Sequence, residues 1–229
     1  MPMINSSVLR GLYVIIDPEV AAGRPEEDIA RLAVEGGATL IQLRDKRREK
    51  GQQLEVAERL MRVCAGPNLR LIINDHVDLA LAARADGVHL GQKDLPVAIV
   101  RRRLMRQGII GCSTNNVDEA LRAQADGADY VSVGRLFPTA SKEDTRPVTP
   151  ETLRAIKKAV SIPVAAIGGI TEENIDAVLA AGADMVCVIA AVVAAPDPRE
   201  AARRLTARIA AHQAGRQGKR ASGRTRPEG

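Results

Sequence analysis

Along nearly the whole chain, short apolar runs rich in β-branched residues alternate with alanine-rich stretches in which apolar positions recur every three or four residues. The first pattern predicts buried strands and the second amphipathic helices. Strands are expected at 12–16, 39–44, 70–74, 87–90, 109–113, 130–134, 163–167 and 185–190. Helices are expected at 27–36, 49–64, 77–84, 96–106, 117–126, 151–160, 172–181 and 198–212. In "EEDIARLAVEGG", Ile29, Leu32 and Ala33 share one helical face. One junction recurs, as "VEGGATLIQL", "ARADGVHL", "QADGADYVSV" and "LAAGADMVCV". In each, a helix ends near a glycine, which tolerates a left-handed cap, and a strand begins after a short linker. Repetition of one junction implies a repeated βαβ unit, hence a parallel sheet with right-handed crossovers. Eight units in this length match a single-domain (β/α)8 TIM barrel. The competing doubly wound sheet usually shows G-x-G-x-x-G after its first strand, and "IIDPEVAAGR" has none. The expected organisation is an N-terminal extension over 1–11, the barrel over 12–212 and a tail over 213–229.

Composition narrows this picture. At 229 residues and 45% hydrophobic content the chain can bury one sizeable core. No apolar run approaches the roughly 18 residues of a membrane span. The opening "MPMINSSVLR" lacks the basic-then-apolar order of a secretory signal. Cys64, Cys112 and Cys187 are odd in number, widely spaced and set among apolar neighbours, with no zinc spacing. Buried reduced thiols and a cytoplasmic location are expected. The formal charge of +5 suggests nucleic acid until it is located. The tail holds Arg216, Lys219, Arg220, Arg224 and Arg226 against Glu228, which is +4 of the +5. Poor in apolar residues, it is expected to be a disordered, solvated appendage. Tyr13, Tyr130 and Phe137 are the only aromatics, so base-stacking platforms are missing and a nucleic-acid partner is disfavoured. A homo-oligomer remains open.

In a barrel of this kind chemistry sits at the C-terminal ends of the strands. "LIINDH" (71–76) turns from apolar residues to Asn74 and Asp75 at such an end. In "IQLRDK", Gln42, Arg44 and Lys46 fall at alternate positions and point one way. An amide, a guanidinium fork and a mobile ammonium would line one wall of the mouth, a surface suited to phosphate oxygens. Asp75 and Asp94 stand at neighbouring strand mouths. Each alone reads as a helix cap; together, beside that wall, they suit Mg2+, which takes one or two carboxylates plus phosphate oxygens and water. His89 reads as a core histidine supporting the site rather than a metal ligand. The loop "GRLFPTASKEDT" is long and hydroxyl-rich, and Thr139, Ser141 and Lys142 can close over an anion. "AIGGI" brings Gly168 and Gly169 to the end of strand seven, where backbone N–H groups can approach a phosphate. Two anion sites emerge, one suited to a diphosphate with Mg2+ and one to a monophosphate.

The stretches "QLRDK", "INDHVDLALAARADGVHLGQKDLP", "GCSTNNVDEALRAQADGADYVSVGRLFPTASKED" and "IPVAAIGGITEENI" resemble the motifs of thiamine-phosphate synthase, and the likeness runs from about Leu12 to Ala195. The resemblance implies transfer of a pyrimidinylmethyl group from its diphosphate to the nitrogen of a thiazole ethyl phosphate, through a Mg2+-assisted, carbocation-like step. It implies that Gln42, Arg44, Lys46, Asn74, Ser113 and Lys142 hold the pyrimidine diphosphate, with Arg44, Lys46, Ser113 and Lys142 assisting its departure. Asp75 and Asp94 would hold the metal. Thr139, Ser141, Gly169, Ile189 and Ala190 would hold the thiazole phosphate. Three positions depart from the family pattern: Ser141 replaces a threonine, Ala190 stands where a hydroxyl residue is usual, and Arg135 stands where a proline is common. The rivals are a thiazole tautomerase-type isomerase, which would not need Asp94 or the intact "QLRDK", and a non-catalytic precursor-binding barrel using its tail on RNA or protein.

Overall fold

The computed structural model describes residues 9–139 and 146–222, with side chains as far as 215. Eight parallel strands close into a barrel in chain order: β1 (Gly11–Ile16), β2 (Ala38–Leu43), β3 (Arg70–Asn74), β4 (Gly87–Leu90), β5 (Ile109–Thr114), β6 (Tyr130–Val133), β7 (Val164–Ile167) and β8 (Met185–Val188). The helices between them are α1 (Glu26–Glu35), α2 (Lys50–Val63), α3 (Val77–Ala82), α4 (Val97–Ile99), α5 (Val117–Ala125), α6 (Pro150–Ala159) and α7 (Ile175–Ala181). The short α8 (Ala190–Val193) and the long α9 (Pro198–Ser222) complete the chain. No helix among the described residues is long and apolar enough to cross a membrane.

Alternation along each strand divides the interior in two. Outward residues such as Val14, Ile41, Ile73, Ile110, Val131 and Val186 meet Ile29, Ala33, Val56 and Leu60 of the helices in one continuous layer. Inward residues Tyr13, Leu40, Ile72, Ile109, Tyr130, Ala165 and Met185 fill the barrel itself. Both faces are covered, so the strands are nearly continuous apolar runs. Higher in the barrel the inward positions turn polar: Gln42, Asn74, His89, Ser113 and Ser132. That switch of side-chain type at a fixed strand register makes the site.

Several boundaries differ from the sequence expectation. β1 starts at Gly11 and Leu9 is buried in the barrel interior, so the barrel reaches into the expected extension. The helix expected over 96–106 is α4 followed by a π turn, Val100–Leu104. Strand eight stops at Val188, because Ala190 opens α8. α9 runs to Ser222 rather than 212, which corrects the expectation of disorder for 213–222. Arg, Gln, Lys and Ala are good helix formers, and the glycines among them each cost only about 1 kcal/mol. At the recurring junction Gly37, Gly127 and Gly182 do adopt positive φ. In "ARADGVHL", however, the left-handed residue is Arg84, and Gly87 serves a different need: a Cβ there would lie 2.3 Å from the Ile109 carbonyl oxygen.

Candidate active site

The C-terminal ends of the strands enclose a cavity of about 620 Å3. It gathers Gln42, Arg44, Lys46, Asn74, Asp75, Asp94, Ser113, Thr139, Gly169, Ile189 and Ala190 into one lining. Ser141 and Lys142 lie outside the described residues. The alternate positions of "IQLRDK" do face one way, although β2 itself ends at Leu43.

Each cation of that wall has an acidic partner. Arg44 is ion-paired through Nη1 to Asp17, a carboxylate buried at the end of β1, and Lys46 to Asp75. Asp75 sits at φ 60°, a left-handed conformation that Asp adopts more readily than most residues. Its N–H donates to the His89 carbonyl at 2.8 Å. Asp94 Oδ2 accepts the Gly91 N–H at 2.6 Å. Neither aspartate caps a helix: the cap positions of α3 and α4 are His76 and Pro96. The two carboxyls are instead close enough to share a hydrogen bond. Burial raises Asp94 above the ordinary carboxylate range, the Gly91 N–H opposes that shift, and Asp75 adds to it. Burial also acts to raise Asp75, but hydrogen bonds with Lys46 and Asp94 outweigh it and hold its carboxylate below the ordinary range. Asp94 is therefore the more basic carboxyl of the pair. Two facing carboxyls form a seat for a cation. Among the described residues no group of three or more metal-ligating side chains exists. A metal held by two carboxylates must complete its shell from substrate oxygens and water, which fits Mg2+.

Beneath the cavity the polar side chains join. Gln42 Nε2 donates to the Tyr13 hydroxyl at 2.5 Å, and the Tyr13 and Tyr130 hydroxyls lie 2.9 Å apart. His89 Nδ1 is 3.0 Å from the Tyr130 hydroxyl and His89 Nε2 is 2.9 Å from Ser113 Oγ. His89 is thus a buried supporting histidine, as its sequence context suggested. The three cysteines are unpaired and buried. Burial pushes the Cys64 thiol up to about 12 and Cys112 to about 11, and holds Cys187 well above the ordinary thiol value. Thiols held protonated do not serve as nucleophiles.

The opposite side of the cavity is built on glycine. Gly168 and Gly169 both take positive φ, 104° and 63°. A Cβ on Gly168 would lie 2.7 Å from Arg135 Cα, and one on Gly169 would lie 2.4 Å from the Pro138 carbonyl oxygen. Both glycines are therefore required, where a simple turn would need one. The segment after β6 runs directly over them, with the Leu136 N–H donating to the Ile167 carbonyl and the Phe137 N–H to that of Gly168. The two ends of this loop meet: the Arg135 N–H donates to the Arg146 carbonyl at 3.3 Å and the Val148 N–H to the Arg135 carbonyl at 2.9 Å. Arg146 is tied to Glu119 and Asn115, and Asn115 Nδ2 donates to the Gly134 carbonyl at 2.6 Å. Arg135 itself lines the cavity and has no ion-pair partner among the described residues.

Sequence reasoning missed Asp17, Tyr13, Tyr130, Asn115, Ser132 and Arg146. Asp17 was visible as a strand-end acid but not as the counter-charge of Arg44. The tyrosines share the inward register of Gln42's neighbours, and counting alternate positions would have placed them.

A family model described as thiamine monophosphate synthase matches residues 12–192. A curated thiamine-phosphate synthase of Methanospirillum hungatei is 46% identical over 195 residues, 85% of this chain and 95% of the relative. That of Methanoculleus marisnigri is 48% identical over 204 residues, 89% and 97% of the two chains. Among solved structures, thiamine phosphate pyrophosphorylase from Pyrococcus furiosus superposes with a TM-score of 0.84 at 38% identity, covering 91% of this chain and 99% of that one.

Proposed function

The chain belongs to the thiamine monophosphate synthase family, and from that premise we propose how its cavity divides the work of a transferase that joins a pyrimidine to a thiazole and releases diphosphate. Gln42, Arg44, Lys46, Asn74, Ser113 and Lys142 take the pyrimidine diphosphate. Thr139, Ser141, Gly169, Ile189 and Ala190 take the thiazole phosphate. Asp75 and Asp94 hold Mg2+. The observation that carries this reading is the facing pair Asp75–Asp94 beside Lys46 and Arg44 in one cavity. Like charges held together beside cations make sense where a cation and an anion are both to be received.

Bound there, Mg2+ would neutralise charge gathering on the departing diphosphate. The Arg44 fork, held in place by Asp17, is preorganised for the same oxygens, which is where electrostatic catalysis gains most. The Lys46 ammonium, exchanging Asp75 for the diphosphate as that carboxylate takes the metal, would add a mobile point charge. The bond between the methylene carbon and the diphosphate oxygen breaks, and its electron pair leaves with the diphosphate. The methylene carbon becomes cationic, and the lone pair of the thiazole nitrogen forms the new C–N bond. No side chain acts as nucleophile, in keeping with thiols that stay protonated. An isomerase on this barrel would leave Arg44 and Asp94 without work. Buried, reduced cysteines suit the cytoplasm, the location we assign.

The test is a coupling assay with both purified precursors and Mg2+, following released diphosphate. Wild type should release one diphosphate per thiazole phosphate consumed, and a chelator should stop it. Asp94→Asn should cut kcat/KM at least about tenfold, one lost charge-assisted contact, and move Mg2+ activation to higher concentration. Unchanged activity and Mg2+ dependence in that variant would remove the metal assignment.

A further inference from the structure

Five inward side chains from five strands form one unbroken path across the barrel: Gln42 on β2, Tyr13 on β1, Tyr130 on β6, His89 on β4 and Ser113 on β5. Tyr13 and Tyr130 are 1% and 0% exposed, so their hydroxyls are shielded from bulk solvent. The Tyr130 ring stacks on His89 with centroids 5.5 Å apart and meets Tyr13 edge-on at 6.0 Å. Gly111 on β5 makes the room: a Cβ there would lie 2.3 Å from the Tyr130 hydroxyl oxygen and 2.5 Å from His89 Nδ1.

Each hydroxyl has one proton, and a buried donor left unpaired is costly. The path therefore has one direction, set at its start. The Gln42 amide nitrogen can only donate, and it donates to Tyr13. Tyr13 then gives its own proton to Tyr130, and Tyr130 gives its proton to His89 Nδ1. A neutral imidazole accepting at Nδ1 carries its proton on Nε2, which donates to Ser113 Oγ. The Ser113 proton has no place left in the path and turns to the cavity that Ser113 lines.

We propose that Tyr13 and Tyr130 are positioning residues that hold His89 in the Nε2–H tautomer, and that His89 in that form aims the Ser113 hydroxyl proton at the diphosphate of the bound substrate. This rests on the assignment of Ser113 to the diphosphate made above. The opposite direction would have a different consequence. With the Gln42 amide turned, its oxygen would accept from Tyr13 and every arrow would reverse. Ser113 would then spend its proton on Nε2 and present only lone pairs to an anion. The tautomer of one buried histidine thus decides whether Ser113 attracts or repels the leaving group, and Gln42, at the pyrimidine end, sets it.

The experiment uses the full chain labelled with 15N-histidine, together with the coupling assay. In wild type the His89 side-chain resonances should show Nε2 protonated and Nδ1 bare. Tyr130→Phe keeps the ring and removes the hydroxyl that donates to Nδ1. The Nδ1–H tautomer should then become populated, kcat should fall about tenfold, and the KM for the pyrimidine diphosphate should rise while that for the thiazole phosphate holds. Tyr13→Phe, one step further away, should act in the same direction and covers the case in which Tyr130→Phe folds poorly. In a Ser113→Ala background Tyr130→Phe should cost nothing more, because groups acting as one unit are not additive. A wild-type His89 protonated at Nδ1, or a Tyr130→Phe loss as large without Ser113 as with it, would overturn the proposal. A wild type with no coupling activity would remove the reading of the site instead, and the tautomer would still decide the direction of the path.

Discussion

At the scale of single residues, charge at the cavity is balanced with care on one side and left open on the other. Arg44 answers Asp17, Lys46 answers Asp75 and Arg146 answers Glu119. Arg135 lines the same cavity, beside Gly168, with no such partner among the described residues. It shares that lining with Ala190, just beyond β8, which offers no hydroxyl. An unspent guanidinium near a glycine-built turn is suited to a phosphate. Arg135→Ala should therefore raise the KM for the thiazole phosphate about tenfold and leave that for the pyrimidine diphosphate unchanged, as steady-state kinetics with each substrate varied in turn would show. Equal changes in both would place Arg135 outside the phosphate site. The residues that line the cavity left a trace in the sequence: Gln42 interrupts an apolar strand, and Asp75 and Asp94, each alone a candidate helix cap, stand together at neighbouring strand mouths. Their partners were not. An ion pair between Asp17 and Arg44, or a path from Gln42 to Ser113, joins residues far apart in sequence, and only the closed barrel brings them together.

At the scale of elements, the frame of the barrel was legible because strand and helix periods differ and each recurs eight times. The failures are local. α4 is cut short and continued by a π turn, and strand eight gives way to a short helix; in both places alanine, valine and isoleucine suit either state. The loop between β6 and α6 depends on its neck, and the neck depends on α5. Asn116 caps α5 by accepting the Glu119 N–H at 2.8 Å, while Glu119 accepts the Asn115 N–H at 2.8 Å and pairs with Arg146. This is a variant of the capping box, with the acid on the N–H one residue before the cap, and that acid also holds the far end of the loop. Burial works to raise Glu119, but Arg146 and the Asn115 N–H outweigh it, and its carboxyl lies below the usual value of 4.5. A depressed carboxylate adds stability that is present in full above its unfolded value and is lost as pH falls through the lower folded value. Glu119→Gln should therefore lower Tm at pH 7 and raise the KM for both substrates, and the Tm gap to wild type should close as pH falls below about 4. Thermal melts of both proteins across pH would check it. A gap that stays constant to pH 3 would mean the charge of Glu119 does not hold the neck.

At the scale of the whole molecule, the basic character of the chain and its catalytic barrel are nearly separate. The tail from 213 carries +4 of the formal +5, and the barrel is close to neutral, so the excess charge is no guide to what the cavity binds. α9 nevertheless belongs to the barrel through its first half. Ala201, Ala202, Leu205 and Ile209 are buried against α1 and β1 and close the layer around the first strand. From Ala211 to Gly215 no residue is buried. Burying Leu205 and Ile209 contributes about 1.5–3 kcal/mol each, whereas the stretch from Ala211 to Gly215 has only its own weak helix propensity to offer. Two truncations should therefore behave differently. Ending the chain after His212 should leave Tm within about 1 °C and the rate of diphosphate release unchanged, since none of the described side chains beyond it is buried. Ending it after Arg204 should remove about 3–6 kcal/mol, a large part of the stability of an ordinary domain, and leave little folded protein at 37 °C. Melts and coupling assays on the pair would settle where the enzyme stops. A fall in activity on removing 213–229 alone would make the tail part of the catalytic unit, and the site would then have to be redrawn to include it.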